Sequence, residues 1–210
     1  MNKLSSLFVL LFFAVYSQAQ DFPLESELAA MEGLSFKKLN DLKGGSLYEL
    51  KVRQPIDHSD DTKGFFDQKV YLTHRGVENI TVIRTAGYNV GRNRVSELSQ
   101  ILDANQLFVE HRYFGASMPD SLDYRYLNLK QATADLHRVR ELFDELYTNK
   151  WISTGISKGG ATTIFYRYFY PEDVDLSVPY VAPINRAYEE PRIYDFLDTV
   201  GTDECRQKLF

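Results

Sequence analysis

One serine of the sequence lies in a pattern that is typical of nucleophilic catalysis. The residues Gly155-Ile156-Ser157-Lys158-Gly159 match G-x-S-x-G. A nucleophile on a sharp strand-to-helix turn is held in a strained conformation with its hydroxyl exposed, and the glycines relieve the crowding around it. The helix that follows directs its first N–H groups at the site, which favours a developing oxyanion. The pattern therefore predicts that Ser157 is a catalytic nucleophile.

The alternative is a glycine-rich turn without catalysis. The context favours the nucleophile, because residues 151–154 predict a buried strand before the motif and residues 161–170 have helical spacing after it. A phosphate-binding loop is excluded, since the segment does not match GxxxxGK[ST].

Two backbone N–H groups are expected to bind the oxyanion. One is the N–H of Lys158, and the other comes from the predicted turn at residues 85–89. Gly87 permits a close approach there, and we predict that Tyr88 is the donor. The alternative is an ordinary turn after a buried strand.

Charged residues follow the next predicted strand. We expect Glu110, His111 and Arg112 to form a polar network that braces the nucleophile loop. His111 is out of order for a catalytic base, because the chain order that accompanies this motif is Ser, then Asp or Glu, then His. The alternative is a surface loop of no special role.

Hydrophobic patterning predicts the elements that would position these residues. Residues 20–43 are mixed and charged, and indicate a lead-in with one short helix over residues 24–33. Tyr48, Leu50 and Val52 alternate with charged residues and predict a strand over 46–55. A second strand is expected over 65–74, between Gly64 and Gly76, as its antiparallel partner. Further along, short apolar runs that predict buried strands alternate with stretches of helical spacing. The strands are expected over residues 80–83, 107–109, 151–154 and 176–183, and the helices over residues 95–102, 128–147 and 161–170. This alternation predicts an α/β fold with a parallel sheet and right-handed crossovers.

Composition narrows the function classes. The 210 residues are 44% hydrophobic and 25% charged, which is typical of a globular protein. The net charge is −5 and no basic stripe is visible, so nucleic acid is not an expected partner. We expect neither a metal nor a cofactor.

The first nineteen residues predict a secretory signal peptide. Lys3 is followed by an apolar run over residues 7–16 and by Ser17-Gln18-Ala19, a small-x-small cleavage site. A membrane anchor is the alternative, but the run is short for one. The sequence thus predicts a secreted or periplasmic protein with no membrane attachment after cleavage.

Four segments together resemble a known family. They are Gln54-Pro55-Ile56-Asp57-His58, Phe66-Asp67-Gln68-Lys69, Glu110-His111-Arg112-Tyr113-Phe114-Gly115-Ala116-Ser117 and Gly155-Ile156-Ser157-Lys158-Gly159-Gly160. In this order they resemble the secreted tripeptidyl aminopeptidases of bacteria (PS-10 type, serine peptidase family thirty-seven) and, more distantly, prolyl carboxypeptidase. The resemblance covers roughly residues 47–209.

The resemblance implies a fold and an activity. The fold would be an α/β-hydrolase over residues 20–186, with a helical cap that begins at residues 187–210. The activity would be that of a Ser-Asp-His exopeptidase with Ser157 as nucleophile and a peptide as substrate. Glu189 and Glu190 are candidates for binding the substrate amine, and a solvated acidic pair is the alternative.

The sequence departs from this family in one respect. No histidine follows His137, so of the Ser-Asp-His triad we identify only the serine. We expect the chain to be part of a longer product, in which Cys205 would find a disulfide partner. A naturally truncated, inactive product is a second explanation, and a catalytic base from elsewhere is a third. A secreted esterase or lipase and a non-catalytic binding module remain as rival functions.

Overall fold

The computed structural model describes residues 24–208, so the predicted signal peptide lies outside the described residues. Within this range seven strands form one sheet in the order β1-β2-β3-β5-β4-β6-β7. The strands are β1 Leu34–Leu42, β2 Gly45–Pro55, β3 Phe65–His74, β4 Thr81–Thr85, β5 Asn105–Val109, β6 Trp151–Ile156 and β7 Leu176–Tyr180. The helices are α1 Leu24–Ala30, α2 Glu97–Ile101, α3 Leu129–Leu142, α4 Lys158–Phe169, α5 Pro191–Thr199 and α6 Asp203–Gln207. Short 3₁₀ turns lie at Asp61–Lys63 and Tyr124–Tyr126.

The antiparallel part of the sheet contains the predicted strand pair. β2 and β3 run antiparallel, with Tyr48 opposite Leu72 and Leu50 opposite Val70. These four side chains are buried, as the alternation predicts. The pair is confirmed.

The first strand was not predicted. β1 pairs antiparallel with β2 inside the segment that the sequence indicated as a lead-in. The register shifts between Lys38 and Asn40, and the shift interrupts the alternation from which a strand is recognised. As the edge strand, β1 also has no fully buried residue.

The remaining strands form the predicted parallel sheet. β5, β4, β6 and β7 are parallel neighbours, while β3 joins β5 in antiparallel orientation. Val82 and Ile83 are both fully buried although they point to opposite faces. Both faces are therefore covered, and the predicted α/β architecture is confirmed.

The main core lies between the sheet and the helices α3 and α4. Leu136 and Val139 of α3 and Tyr166 of α4 pack there with Trp151. The Asn128 side chain caps α3 by accepting the Gln131 N–H at 3.0 Å. The helix ends at Leu142 rather than at the predicted residue 147, because Phe143 leaves the helical conformation at φ −105°.

The last described segment packs loosely. β7 ends at Tyr180, three residues before its predicted end, where Val181 adopts a positive φ of 41°. The helix α5 has no buried residue, and Ile193 and Phe196 are more than half exposed. Residues 187–208 thus form helices on the surface of the sheet domain, and their assignment to a cap stays a prediction. None of the helices between residues 24 and 208 is long and apolar enough to cross a membrane.

Candidate active site

Ser157 lies on a strained turn between β6 and α4. Its backbone has φ 56° and ψ −124°, a region that costs a residue with a side chain about 1–3 kcal/mol. Its N–H donates to the Tyr180 carbonyl at 3.0 Å, and its carbonyl accepts the Ala161 N–H at 2.9 Å. The hydroxyl makes no capping hydrogen bond to α4. This is the backbone conformation that the G-x-S-x-G motif predicts.

The flanking glycines are required by close contacts. A Cβ on Gly155 would lie 2.4 Å from the Gly159 carbonyl oxygen, and one on Gly159 would lie 2.5 Å from that of Thr85. The Thr85 hydroxyl donates to the Gly159 carbonyl at 2.6 Å. The helix α4 starts at Lys158, three residues before its predicted start, because two glycines in its first turn conceal the apolar spacing.

The predicted oxyanion turn packs directly against the nucleophile turn. A Cβ on Gly87 would lie 2.9 Å from the Gly159 nitrogen and 2.9 Å from the Lys158 Cβ. The Tyr88 carbonyl accepts the His111 N–H at 3.3 Å. Among residues 24–208, the Tyr88 N–H has no hydrogen-bond acceptor. The role of this N–H as an oxyanion donor stays a prediction.

The side chain of Lys158 was missed by the sequence analysis, which used only its N–H. The ammonium Nζ lies 5.4 Å from the ring centroid of Tyr88 and 5.6 Å from that of Phe114. Burial lowers the pKa of Lys158 to about 8. The available signal was the position of two aromatic residues just after the ends of neighbouring strands.

Glu110 ties together two loops at the carboxyl ends of the strands. Its buried carboxylate accepts the N–H groups of Val90 at 2.5 Å, Ala116 at 2.8 Å and Ser117 at 3.0 Å. The Ser117 hydroxyl also donates to it, and the Lys69 ammonium lies 3.2 Å away. Glu110 therefore fixes the loop that continues from the predicted oxyanion turn.

Arg112 lies fully buried and is saturated with hydrogen bonds. Its guanidinium forms a bidentate pair with Asp135, at 2.8 Å from Nε and 2.7 Å from Nη2. Its remaining N–H groups donate to the carbonyls of Pro55, Ile56 and Tyr126. A guanidinium has five N–H donors, so all of them have partners.

His111 is buried and neutral. Its Nδ1 lies 2.8 Å from the Arg112 carbonyl oxygen, and its ring meets Phe114 edge to face. Burial, and to a smaller extent the charge of Lys158, lowers the pKa of His111 to about 4. At neutral pH the imidazole therefore carries no charge.

The expectation of one network around the nucleophile loop needs correction. The side chains of Glu110, His111 and Arg112 do not bond to one another. Each side chain reaches a different neighbour: a loop backbone, an aromatic ring or the helix α3. Any support that they give to Ser157 is indirect.

The two glutamates proposed to bind a substrate amine have partners of their own. Both carboxylate oxygens of Glu190 are bonded to Arg192, and one also accepts the Arg186 N–H at 2.8 Å. Hydrogen bonds from Arg192, followed by the one from Arg186, lower the pKa of Glu190 to about 2. Glu189 accepts a hydrogen bond from the Tyr194 hydroxyl. Amine binding by these residues stays a prediction.

Histidine–carboxylate pairs also occur away from Ser157. His58 lies 2.7 Å from Asp135, whose oxygens are already bonded to Arg112. His137 lies 2.8 Å from Asp173, beyond the far end of α4 and so roughly 18 Å along this helix from Ser157. The His137–Asp173 pair is therefore too far from Ser157 to act as its base. Between residues 24 and 208 no group of three His, Cys, Asp or Glu side chains is arranged to hold a metal ion.

Comparisons with known proteins agree with this geometry. Residues 18–210 match the family model described as PS-10 peptidase S37. The chain is 36% identical over 188 residues to a prolyl tri/tetrapeptidyl aminopeptidase from Streptomyces mobaraensis, which covers 89% of this chain and 39% of the relative. It is 27% identical over 177 residues to the probable serine protease EDA2 of Arabidopsis thaliana, covering 76% of this chain and 36% of the relative. The chain thus spans less than two fifths of the length of either relative.

A solved structure confirms the fold. The acetyl xylan esterase from Paenibacillus sp. R4 superimposes with a TM-score of 0.57 at 14% identity, covering 83% of this chain and 64% of the esterase. At this identity the likeness concerns the fold alone. With the sheet order and the turn at Ser157, it confirms the predicted α/β-hydrolase fold.

Proposed function

The chain belongs to the PS-10 peptidase S37 family, and we propose that it carries the nucleophile of a serine peptidase that cleaves short peptides from the free amino end of its substrates. The observation that carries this proposal is the strained turn of Ser157, packed against a second turn whose Tyr88 N–H has no acceptor among residues 24–208. The identity of 36% to an aminopeptidase supports the reaction class.

The proposed reaction begins with attack of the Ser157 Oγ on the carbonyl carbon of the peptide bond to be cleaved. A histidine takes the hydroxyl proton and then gives it to the departing amine, and water afterwards hydrolyses the acyl-enzyme. The N–H groups of Lys158 and Tyr88 would stabilise the oxyanion, each by about 3–4 kcal/mol in the transition state.

The histidine and the carboxylate that orients it have no counterpart around Ser157 in residues 24–208. Both relatives are more than twice as long as the stretch that they share with this chain. We assign the two groups to the part of the full-length protein that corresponds to the rest of those relatives.

Two further parts of the proposal concern location and substrate. Residues 1–19 would direct export of the protein, which would then act on peptides outside the cytoplasm. Recognition of a free amino terminus requires an anion near the cleft. Glu189 is a candidate, because its carboxylate is exposed and, within residues 24–208, only the Tyr194 hydroxyl is bonded to it.

The test uses the product of the complete native gene. The protein is assayed on a chromogenic tripeptide with a free amino end, on the same peptide acetylated at that end, and on a short acyl ester. We expect cleavage of the free tripeptide only, and Ser157→Ala should lower kcat by a factor on the order of 10⁶.

Ser153→Ala is the matched control, because Ser153 lies in β6, the strand that precedes Ser157, and among residues 24–208 its buried hydroxyl bonds only to Ser177, at 2.8 Å. This variant should keep the activity. Equal cleavage of the acetylated peptide would contradict the aminopeptidase proposal, and turnover of the ester alone would favour an esterase.

A further inference from the structure

The side chain of Lys158 extends from the nucleophile turn across the neighbouring turn. Lys158 directly follows Ser157 and is the first residue of α4. The Lys158 Cβ packs against Gly87, and a Cβ on Gly87 would lie only 2.9 Å from it. Gly87 therefore has no room for a side chain on this side. The side chain therefore lies between the two segments whose backbone N–H groups are the proposed oxyanion donors.

Two aromatic rings hold the ammonium in this position. Tyr88 and Phe114 meet edge to face at 5.4 Å, and the Lys158 Nζ lies within 6 Å of both centroids. A cation at this distance from an aromatic face is attracted by the ring. The rings also restrict a side chain that would otherwise move freely in solvent.

The charge of Lys158 is not neutralised by its neighbours in the described part of the chain. No carboxylate of residues 24–208 lies within 4 Å of its Nζ. The nearest acidic residue on the adjoining strand end, Glu110, is turned to Lys69 and to backbone N–H groups. Arg112 is turned away to Asp135, and the His111 imidazole is uncharged.

We propose that the ammonium of Lys158, held by Tyr88 and Phe114, supplies a positive charge that stabilises the oxyanion formed when Ser157 attacks its substrate. This inference rests on the proposed function. The charge would act in addition to the backbone N–H groups, at the point where their turns meet. Because a substrate carbonyl becomes negative only in the transition state, the charge raises kcat and leaves KM nearly unchanged.

The proposal has a consequence for pH. Burial lowers the pKa of Lys158 to about 8. The side chain is charged below this pH and neutral above it, so kcat should decline as the pH rises through about 8. This decline of kcat at alkaline pH is distinct from the rise of kcat near pH 6–7 that deprotonation of a catalytic histidine would give.

The experiment measures kcat and KM between pH 6 and 10 for the product of the complete native gene, acting on the free tripeptide. Lys158→Met should lower kcat at pH 7 roughly tenfold, the order of magnitude expected for the loss of one partly screened charge. This variant should also lack the decline near pH 8. Lys158→Arg should retain most of kcat and lose the decline, because a guanidinium stays charged over this range.

Lys130→Met is the matched control, since Lys130 is an exposed lysine on α3 and should leave both parameters unchanged. A Lys158→Met variant with the kcat and the alkaline decline of the unmodified protein would overturn the proposal. So would a Lys158→Arg variant as slow as Lys158→Met. Full activity of Ser157→Ala, or an inactive unmodified protein, would overturn the proposed function itself and the inference with it.

Discussion

Replacing Arg112 by methionine should destabilise the protein more than any change to a surface ion pair. Its guanidinium has no exposed surface, and each of its five N–H groups donates to an acceptor within the protein. The change would leave the Asp135 carboxylate, whose side chain is 1% exposed, without its cation. It would also leave the carbonyls of Pro55, Ile56 and Tyr126 without donors.

Removal of one partner from a buried ion pair costs about 3–5 kcal/mol. The lower part of this range applies here, because the His58 ring nitrogen remains within hydrogen-bond distance of Asp135, at 2.7 Å. We therefore expect the free energy of unfolding to fall by about 3 kcal/mol.

Arg125 offers a matched control within the same fold. It also contacts a single aspartate, Asp123, through two of its guanidinium nitrogens, but its side chain is 81% exposed. Exposed ion pairs contribute about 0–1 kcal/mol. Arg125→Met should therefore be nearly neutral although it removes the same number of atoms as Arg112→Met.

Urea denaturation of the native gene product, followed by circular dichroism, measures both variants. The double variant Arg112→Met with Asp135→Asn should recover part of the loss, because it removes the unpaired charge. Equal midpoints for Arg112→Met and Arg125→Met would refute the account of Arg112 as a buried structural hub.

Three further predictions concern the site. The pKa of His111 is about 4 in the folded protein and 6.5 ordinarily, so as the pH falls the unfolded chain binds a proton at this histidine first. The contribution of His111 to the free energy of unfolding is therefore intact above pH 6.5 and falls by about 3 kcal/mol between pH 6.5 and 4. His111→Asn should flatten the urea stability profile in that window. Gly87→Ala should cost about 1–3 kcal/mol and most of the activity, whereas Gly91→Ala, which has no neighbour within 4 Å, should change neither. Ser157→Gly should be more stable than Ser157→Ala by roughly 1 kcal/mol, because glycine relieves the backbone strain at this position, and it should therefore unfold at a higher temperature. Equal melting temperatures would contradict this.

Local patterns were sufficient to predict most of the fold. The alternation of Tyr48, Leu50 and Val52 with charged residues shows β2 in the sequence, Gly64 and Gly76 delimit β3, and the β-branched stretch over residues 80–83 shows β4. β1 was missed because a register shift and its exposed edge position remove the alternation. The ends of α3 and α4 were misplaced, since a local helix end and a glycine-rich start do not alter apolar spacing in a recognisable way.

The site was predictable where chemistry depends on neighbours in sequence. The turn at Ser157 follows from five consecutive residues. The hydrogen bonds of Arg112 connect it to residues 55, 56, 126 and 135. No local sequence pattern predicts contacts between segments so far apart in the chain. The setting of Lys158 likewise depends on rings contributed by two other loops. The ion pair between Glu190 and Arg192 could have been predicted from the sequence, because the two residues are only two positions apart.

The most direct test of the central claim is covalent labelling of the native gene product with a fluorophosphonate, which reacts with activated serine nucleophiles. The modified residue is identified by mass spectrometry of the digested protein. We predict one label per molecule on the peptide that contains Ser157, parallel loss of peptidase activity, and no label on Ser157→Ala. Labelling of a different serine in an active preparation, or full activity after Ser157 is labelled, would contradict the account.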